Sequence, residues 1–195
     1  PSRLADAINN LSYIYALQGH YRRAEDMCNQ GLMMRKRHSS SRGLGASNET
    51  LGTIKRLAGQ FRESLDYYEQ AKLIFQSLGD SAWLGRVYSG MGFTLWLMQD
   101  LERARDTIAQ SIELCREYYP LELAGTTHRM GHVLWDMNDI SGARKYFKES
   151  LELSRETDPQ FFVNSHSELA ELAYLTWRKK HDESILVEIK DYVRQ

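Results

Sequence analysis

His128 and His132 stand four residues apart, a spacing that sets two imidazoles on one face of a helix, where they could ligate a transition metal. No third ligand is evident beside them, the Glu of a zinc-protease helix is missing, and Arg129 adds positive charge. Solvated or groove histidines are therefore expected, with no metal and no other cofactor. His181-Asp-Glu183 opens a helix, where acidic residues complement the macrodipole, so capping is its expected role. Arg35-Lys-Arg-His-Ser-Ser-Ser-Arg42 could touch phosphate but reads better as an irregular inter-repeat loop with solvated charges. Gly43-Leu-Gly45 follows no strand and precedes no Lys-Ser or Lys-Thr, which excludes a nucleotide loop. No motif pairs a serine or cysteine nucleophile with a base, so no enzyme activity is expected.

Composition narrows the class further. Of 195 residues, 42% are hydrophobic and 26% charged, the balance of an ordinary globular protein rather than a disordered one. A formal net charge of -1 gives no general pull towards nucleic acid or an acidic membrane. No apolar run approaches the roughly 20 residues that span a bilayer. Cys28 and Cys115 lie far apart, in no metal-ligand spacing, and read as reduced thiols of a cytoplasmic protein. The chain opens Pro-Ser-Arg without a Met and reads as a piece of something longer.

The residues above must be positioned by a repeat. Leu17-Gln-Gly-His-Tyr-Arg-Arg-Ala24 returns as Leu57-Ala-Gly-Gln-Phe-Arg-Glu-Ser64, as Leu97-Met-Gln-Asp-Leu-Glu-Arg-Ala104 and as Asp136-Met-Asn-Asp-Ile-Ser-Gly-Ala143, at a period of about 40 residues. Each phrase is a polar turn, a large apolar residue, and a small residue three positions on. Before each turn lies an apolar-small pair, Leu11-Ser12, Leu51-Gly52, Met91-Gly92 and Met130-Gly131, followed at helical spacing by Ile14 and Tyr15, Ile54, Leu95 and Leu134. After each turn, Tyr21, Ala24, Cys28 and Leu32 line one face, with equivalents in the next three repeats. Ser39-Ser40, Gly79-Asp80, Pro120 and Asp158-Pro159 end the second helices. The expectation is an all-α chain of about five antiparallel hairpins, over about 4–39, 44–79, 81–119, 121–158 and 160–195, forming a single domain across 1–195. The last helix is a solvating cap or the edge of a longer array. A lone hairpin cannot bury both its stripes, so neighbours must complete each core.

This pattern resembles the tetratricopeptide repeat over nearly the whole chain. Gly52, Gly92 and Gly131 match the family's small first-helix position, Tyr21 and Phe61 its aromatic after the turn, and Ala24, Ala104 and Ala143 its second-helix alanine. The period of about 40 exceeds the family's roughly 34, and the closing proline appears only after the third and fourth repeats. Long repeats ending in Leu-Gly-Asp look like the C-terminal arrays of bacterial signalling ATPases and large transcriptional activators.

The resemblance implies a right-handed superhelical solenoid whose first helices line a concave groove. Here those positions are Asn9, Tyr13, Arg56, Arg86, Phe93, Trp96, His128, Arg129, His132 and Trp135. Trp96 and Trp135 occupy equivalent places and could form an aromatic ledge flanked by cations, suited to an extended peptide with apolar anchors and a carboxylate, or to a planar ligand. Filling space between adjacent first helices is the competing role for each tryptophan. The family's carboxylate clamp for chaperone tails is not expected: Arg86 alone keeps a cation, Asn9 stands where Lys would, and Tyr13, Thr50 and Gly90 replace its other polar members. The implied function is a non-catalytic scaffold that binds a protein or peptide partner. A sensory module taking a small effector for an attached ATPase or transcriptional regulator is the second reading. An oligomerisation segment stacking through the Ile8 or Ile189 faces is the third. Specific nucleic-acid or membrane partners are not expected.

Overall fold

A computed structural model describes residues 2–37, 41–155, 158–180 and 184–194. Among the described residues the regular structure is all helical: α1 (Ser2–Leu17), α2 (Tyr21–Arg37), α3 (Ser41–Leu57), α4 (Phe61–Leu78), α5 (Ser81–Leu97), α6 (Leu101–Tyr118), a single 3-10 turn (Pro120–Glu122), α7 (Leu123–Asp136), α8 (Ile140–Ser154), α9 (Pro159–Lys180) and α10 (Ser184–Arg194). Successive pairs form five hairpins. The stop at Ser39-Ser40 and the motif His181-Asp-Glu183 lie outside the described residues.

The polar phrase closes each of the first four hairpins by one backbone device. Gly19, Gly59, Gln99 and Asn138 all have positive φ, between 62° and 82°. In each case that residue's N–H donates to the carbonyl three back, and the next N–H donates to the carbonyl five back, as in Gly59 to Arg56 (3.0 Å) and Gln60 to Lys55 (2.8 Å). This is the Schellman closure, which satisfies the last carbonyls of the first helix and reverses the chain. Gly79 ends α4 the same way, and the Asp80 carboxylate then caps α5 by accepting from the Trp83 N–H (3.3 Å).

The small first-helix residues admit a large partner from the second helix. A Cβ at Gly52 would lie 2.9 Å from the Tyr68 ring, one at Gly131 2.5 Å from Phe147, and one at Gly92 would press on Ile108. Ala24, Ser64, Ala104 and Ala143 are fully buried behind them. The second-helix stripe runs slightly off the expected register: in the first hairpin Gly31 is buried, whereas Leu32 is only partly so. Leu11 and Ile14 are exposed, so the first helix of the first hairpin turns its outer stripe to solvent.

By its internal contacts the chain divides into two compact units, Pro1–Leu114 and Cys115–Gln195, with the boundary inside α6. In the first, α1, α3 and α5 follow one another in contact. One core cluster joins Ala16, Ala24 and Cys28 of the first hairpin to Leu51 and Ile54 of the second. Another joins Tyr68, Ala71 and Phe75 of the second to Val87 of the third. In the second unit α7 and α8 form a hairpin, and both pack on α9.

The basic run departs from expectation at Arg35 and Ser41, whereas Lys36, Arg37 and Arg42 are exposed as expected and 38–40 lie outside the described residues. Ser41 already starts α3, and Arg35 lies within α2, 4% exposed. Its guanidinium donates to the Gly43 carbonyl (2.8 Å), to the Ser47 hydroxyl and to the Asp6 carboxylate. Arg35 takes the place that Phe75 fills one repeat later, and its fork satisfies acceptors from α1 and α3 there. It is an internal tie, not a solvated charge.

Candidate functional site

In the first unit the candidate residues divide between packing and surface. Asn9 is buried: its amide donates to the Thr50 hydroxyl (2.7 Å), and its carbonyl accepts from the Cys28 thiol (3.3 Å). It holds α1, α2 and α3 together and does not present its side chain to a groove, contrary to expectation. The same packing explains why the clamp chemistry is missing. Thr50 is the partner of Asn9, and a Cβ at Gly90 would lie 2.5 Å from the Tyr68 ring.

The remaining members are accessible to different degrees. Tyr13 on α1 is exposed. Arg86 on α5 places its guanidinium 4.6 Å above the Trp83 ring and 3.3 Å from Glu49 of α3. Phe93 and Trp96 stack with centroids 5.4 Å apart at 15°, and the Arg56 guanidinium of α3 lies 4.6 Å from the Phe93 ring centre. Phe93, Trp96 and Arg56 are each half-buried. The spacing of three on α5 brings the two rings together, and the stacking of α3 beside α5 supplies the cation. The result is a preorganised aromatic-cation surface, favoured by the negative face of the ring.

Lys55, next to Arg56, carries a charge network that sequence reasoning missed. It is 5% exposed, and its ammonium meets Glu25 at 2.7 Å and Glu63 at 2.8 Å. Burial works to lower its pKa, but the two carboxylates overcome it and hold the pKa above the ordinary lysine range. The Cys28 thiol is pushed up to about 12 by burial, which keeps it protonated and unreactive.

In the second unit α7 carries His128, Arg129, His132 and Trp135. His128 is buried, and its ring lies 5.4 Å from that of Phe147 and 5.5 Å from that of Phe161. It too is withdrawn from any groove. Burial, with His132 and Arg129 nearby, lowers its pKa to about 4. His132 is half-buried and is lowered as well, chiefly by burial; its Nε2 lies 3.6 Å from Glu168 of α9. Arg129 reaches Glu122 at 3.4 Å. The indole of Trp135 meets Phe147 edge-on at 6.1 Å and also lines a cavity of about 950 Å3. Arg144 and Thr176 are polar members of that cavity's wall, and Ile140, Leu172, Leu175 and Ile185 give it an apolar lining. No motif had marked Glu168 or Arg144, because each acquires its neighbours from another helix.

Comparison with known proteins agrees with this architecture. Tetratricopeptide repeat family models match residues 44–117 and, separately, 4–41 and 123–157, which together make up most of the chain. The chain belongs to the tetratricopeptide repeat family. No curated protein matches it. Among solved structures, BtubC (BKLC) from P. vanneervenii is similar with a TM-score of 0.81 at 16% identity, covering 99% of this chain and 81% of that one. A putative kinesin light chain from Podosopora anserina, with nearly identical TPR-like repeats, gives 0.74 at 16% identity, over 98% and 95%. Aspartyl phosphate phosphatase F from Bacillus subtilis gives 0.79 at 16% identity, over 99% of this chain but 50% of that one. At these identities the likeness is one of fold. Among the described residues no helix is long and apolar enough to cross a membrane.

Proposed function

We propose that the chain is a non-catalytic protein-interaction scaffold, and that the first unit binds an extended partner segment over Tyr13, Arg56, Arg86, Phe93 and Trp96. The stacked Phe93–Trp96 pair with Arg56 above it carries this reading. It offers an apolar platform for a side-chain anchor and a cation for a carboxylate, on rings whose orientation is already set. Tetratricopeptide hairpins suit the role because first helices from successive repeats present side chains along a common face. Cytoplasmic residence belongs to the same reading, since two cysteines held as thiols suit a reducing compartment.

The test is recovery of partners by the wild-type chain and by a Phe93→Ala/Trp96→Ala variant, with melting temperature followed in parallel. Half-buried surface rings should cost less stability than the roughly 3–5 kcal/mol of a core aromatic, while partner recovery collapses. Identical partners recovered by both proteins would refute the assignment. A large fall in melting temperature would instead return Trp96 to the packing role.

A sensory reading rests on a separate observation, the cavity beside Trp135 in the second unit. Its volume of about 950 Å3 suits a small effector, and its apolar lining, with Arg144 and Asp136 both in the wall, favours one carrying an apolar body and polar groups.

A further inference from the structure

The second unit contains a donor cluster that partner binding does not use. His128 and His132 sit one turn apart on α7, with ring centroids 4.7 Å apart, and Glu168 faces them from α9. One ligand atom from each of the three lies within 4.8 Å of the other two. His128 is only 7% exposed, and its Nε2 has no hydrogen-bond partner among the described residues. Phe147 and Phe161 explain why the ring is buried, because they pack on it. They do nothing for the nitrogen, since an aromatic carbon surface offers it neither a strong donor nor a strong acceptor. A buried polar atom in that condition costs free energy unless something satisfies it.

We propose that His128, His132 and Glu168 form a binding site for a divalent transition-metal cation of the zinc class. Two imidazoles and one carboxylate are a donor set that Zn2+ accepts, with bonds of about 2.0–2.2 Å, whereas Ca2+ and Mg2+ favour oxygen ligands throughout. His132 and Glu168 are both half-buried, so theirs are the side-chain torsions that would draw the donors inward on binding. Arg129 is the nearby opposing charge, and it is occupied with Glu122 at 3.4 Å. The fourth protein hairpin contributes two ligands and the fifth contributes one. Bound metal therefore adds coordination to the packing and the His132–Glu168 contact that already join α7 to α9.

The test uses the full chain after chelator treatment, titrated with Zn2+ by calorimetry and with Co2+ by visible absorption. His132→Gln and Glu168→Gln serve as variants, since both positions are half-buried and their helical circular dichroism is expected to persist. The wild type should bind one equivalent, show the d–d absorption of Co2+ in a low-coordinate site, and melt at a higher temperature with Zn2+. Each variant should lose affinity by at least about tenfold, the lower end of the range seen when even supporting groups of a metal site are removed. A wild type without a saturable equivalent overturns the proposal. So do variants that bind as tightly as the wild type, because the metal would then reside on other histidines.

Discussion

His128 couples stability to acid in a definite direction. Its ordinary pKa is 6.5, and burial in the folded chain brings it to about 4. Above about pH 6.5 the imidazole is neutral whether the chain is folded or not, and the group contributes no slope. As pH falls from there towards 4, the unfolded chain takes up a proton that the folded chain refuses, so stability drops across that window. His132, lowered in the same sense, adds to it. Urea midpoints of the chelator-treated protein should therefore decline between about pH 6.5 and 4, and His128→Gln should flatten the decline. Equal slopes for both proteins would contradict the assignment. The histidine pair itself was legible in the sequence, because spacing of four on a helix is a local property. Glu168 was not: it belongs to the next hairpin, and nothing in the period ties it to His132. Asn9 shows the same limit from the other side. Its place on the first helix was read correctly, yet its burial is decided by Thr50, 41 positions away, and by Cys28.

At the scale of the helix and its turn, the sequence was most informative where the repeat imposed one backbone solution four times. The polar phrases mark left-handed turns, and Gly19 and Gly59 supply the residue type that such a φ favours. The third and fourth hairpins adopt the same turn with Gln99 and Asn138. A glutamine at φ 62° meets its own Cβ penalty, a cost of about 1–2 kcal/mol that glycine avoids. Part of that gain returns as the extra freedom glycine gives the unfolded chain. Gln99→Gly should therefore stabilise the protein by about 0.5–1 kcal/mol, read as a higher urea midpoint at unchanged slope, and Asn138→Gly by less, since asparagine tolerates this region better. A neutral or destabilising Gln99→Gly would mean that the glutamine side chain contributes more than its backbone costs. Arg35 marks where reading by element failed. A run of cations beside serines has the composition of a loop, and composition cannot reveal acceptors that α1 and α3 bring to a helix end. Once Asp6, Gly43 and Ser47 converge there, a guanidinium held by three acceptors replaces the apolar residue that the stripe calls for.

Across the molecule, the repeat makes stability a property of neighbours rather than of hairpins. Tyr68 shows the coupling most directly. It is 1% exposed on α4, its hydroxyl is paired with Thr53 of α3 at 2.9 Å, and its ring fills the space left by two absent Cβ atoms, at Gly52 of α3 and Gly90 of α5. One side chain thus closes the second hairpin and seats the third upon it. Tyr68→Ala removes that ring from between two helical backbones, so a cavity should remain, at a cost of about 3–5 kcal/mol. The distribution of the loss is more diagnostic than its size. In a stack whose interfaces carry the folding free energy, hydrogen exchange should accelerate in α5 as well as in α3 and α4, although α5 loses no residue of its own. If protection fell in α3 and α4 alone, the hairpins would be self-sufficient. Shared cores would then be a consequence of stacking and not its cause.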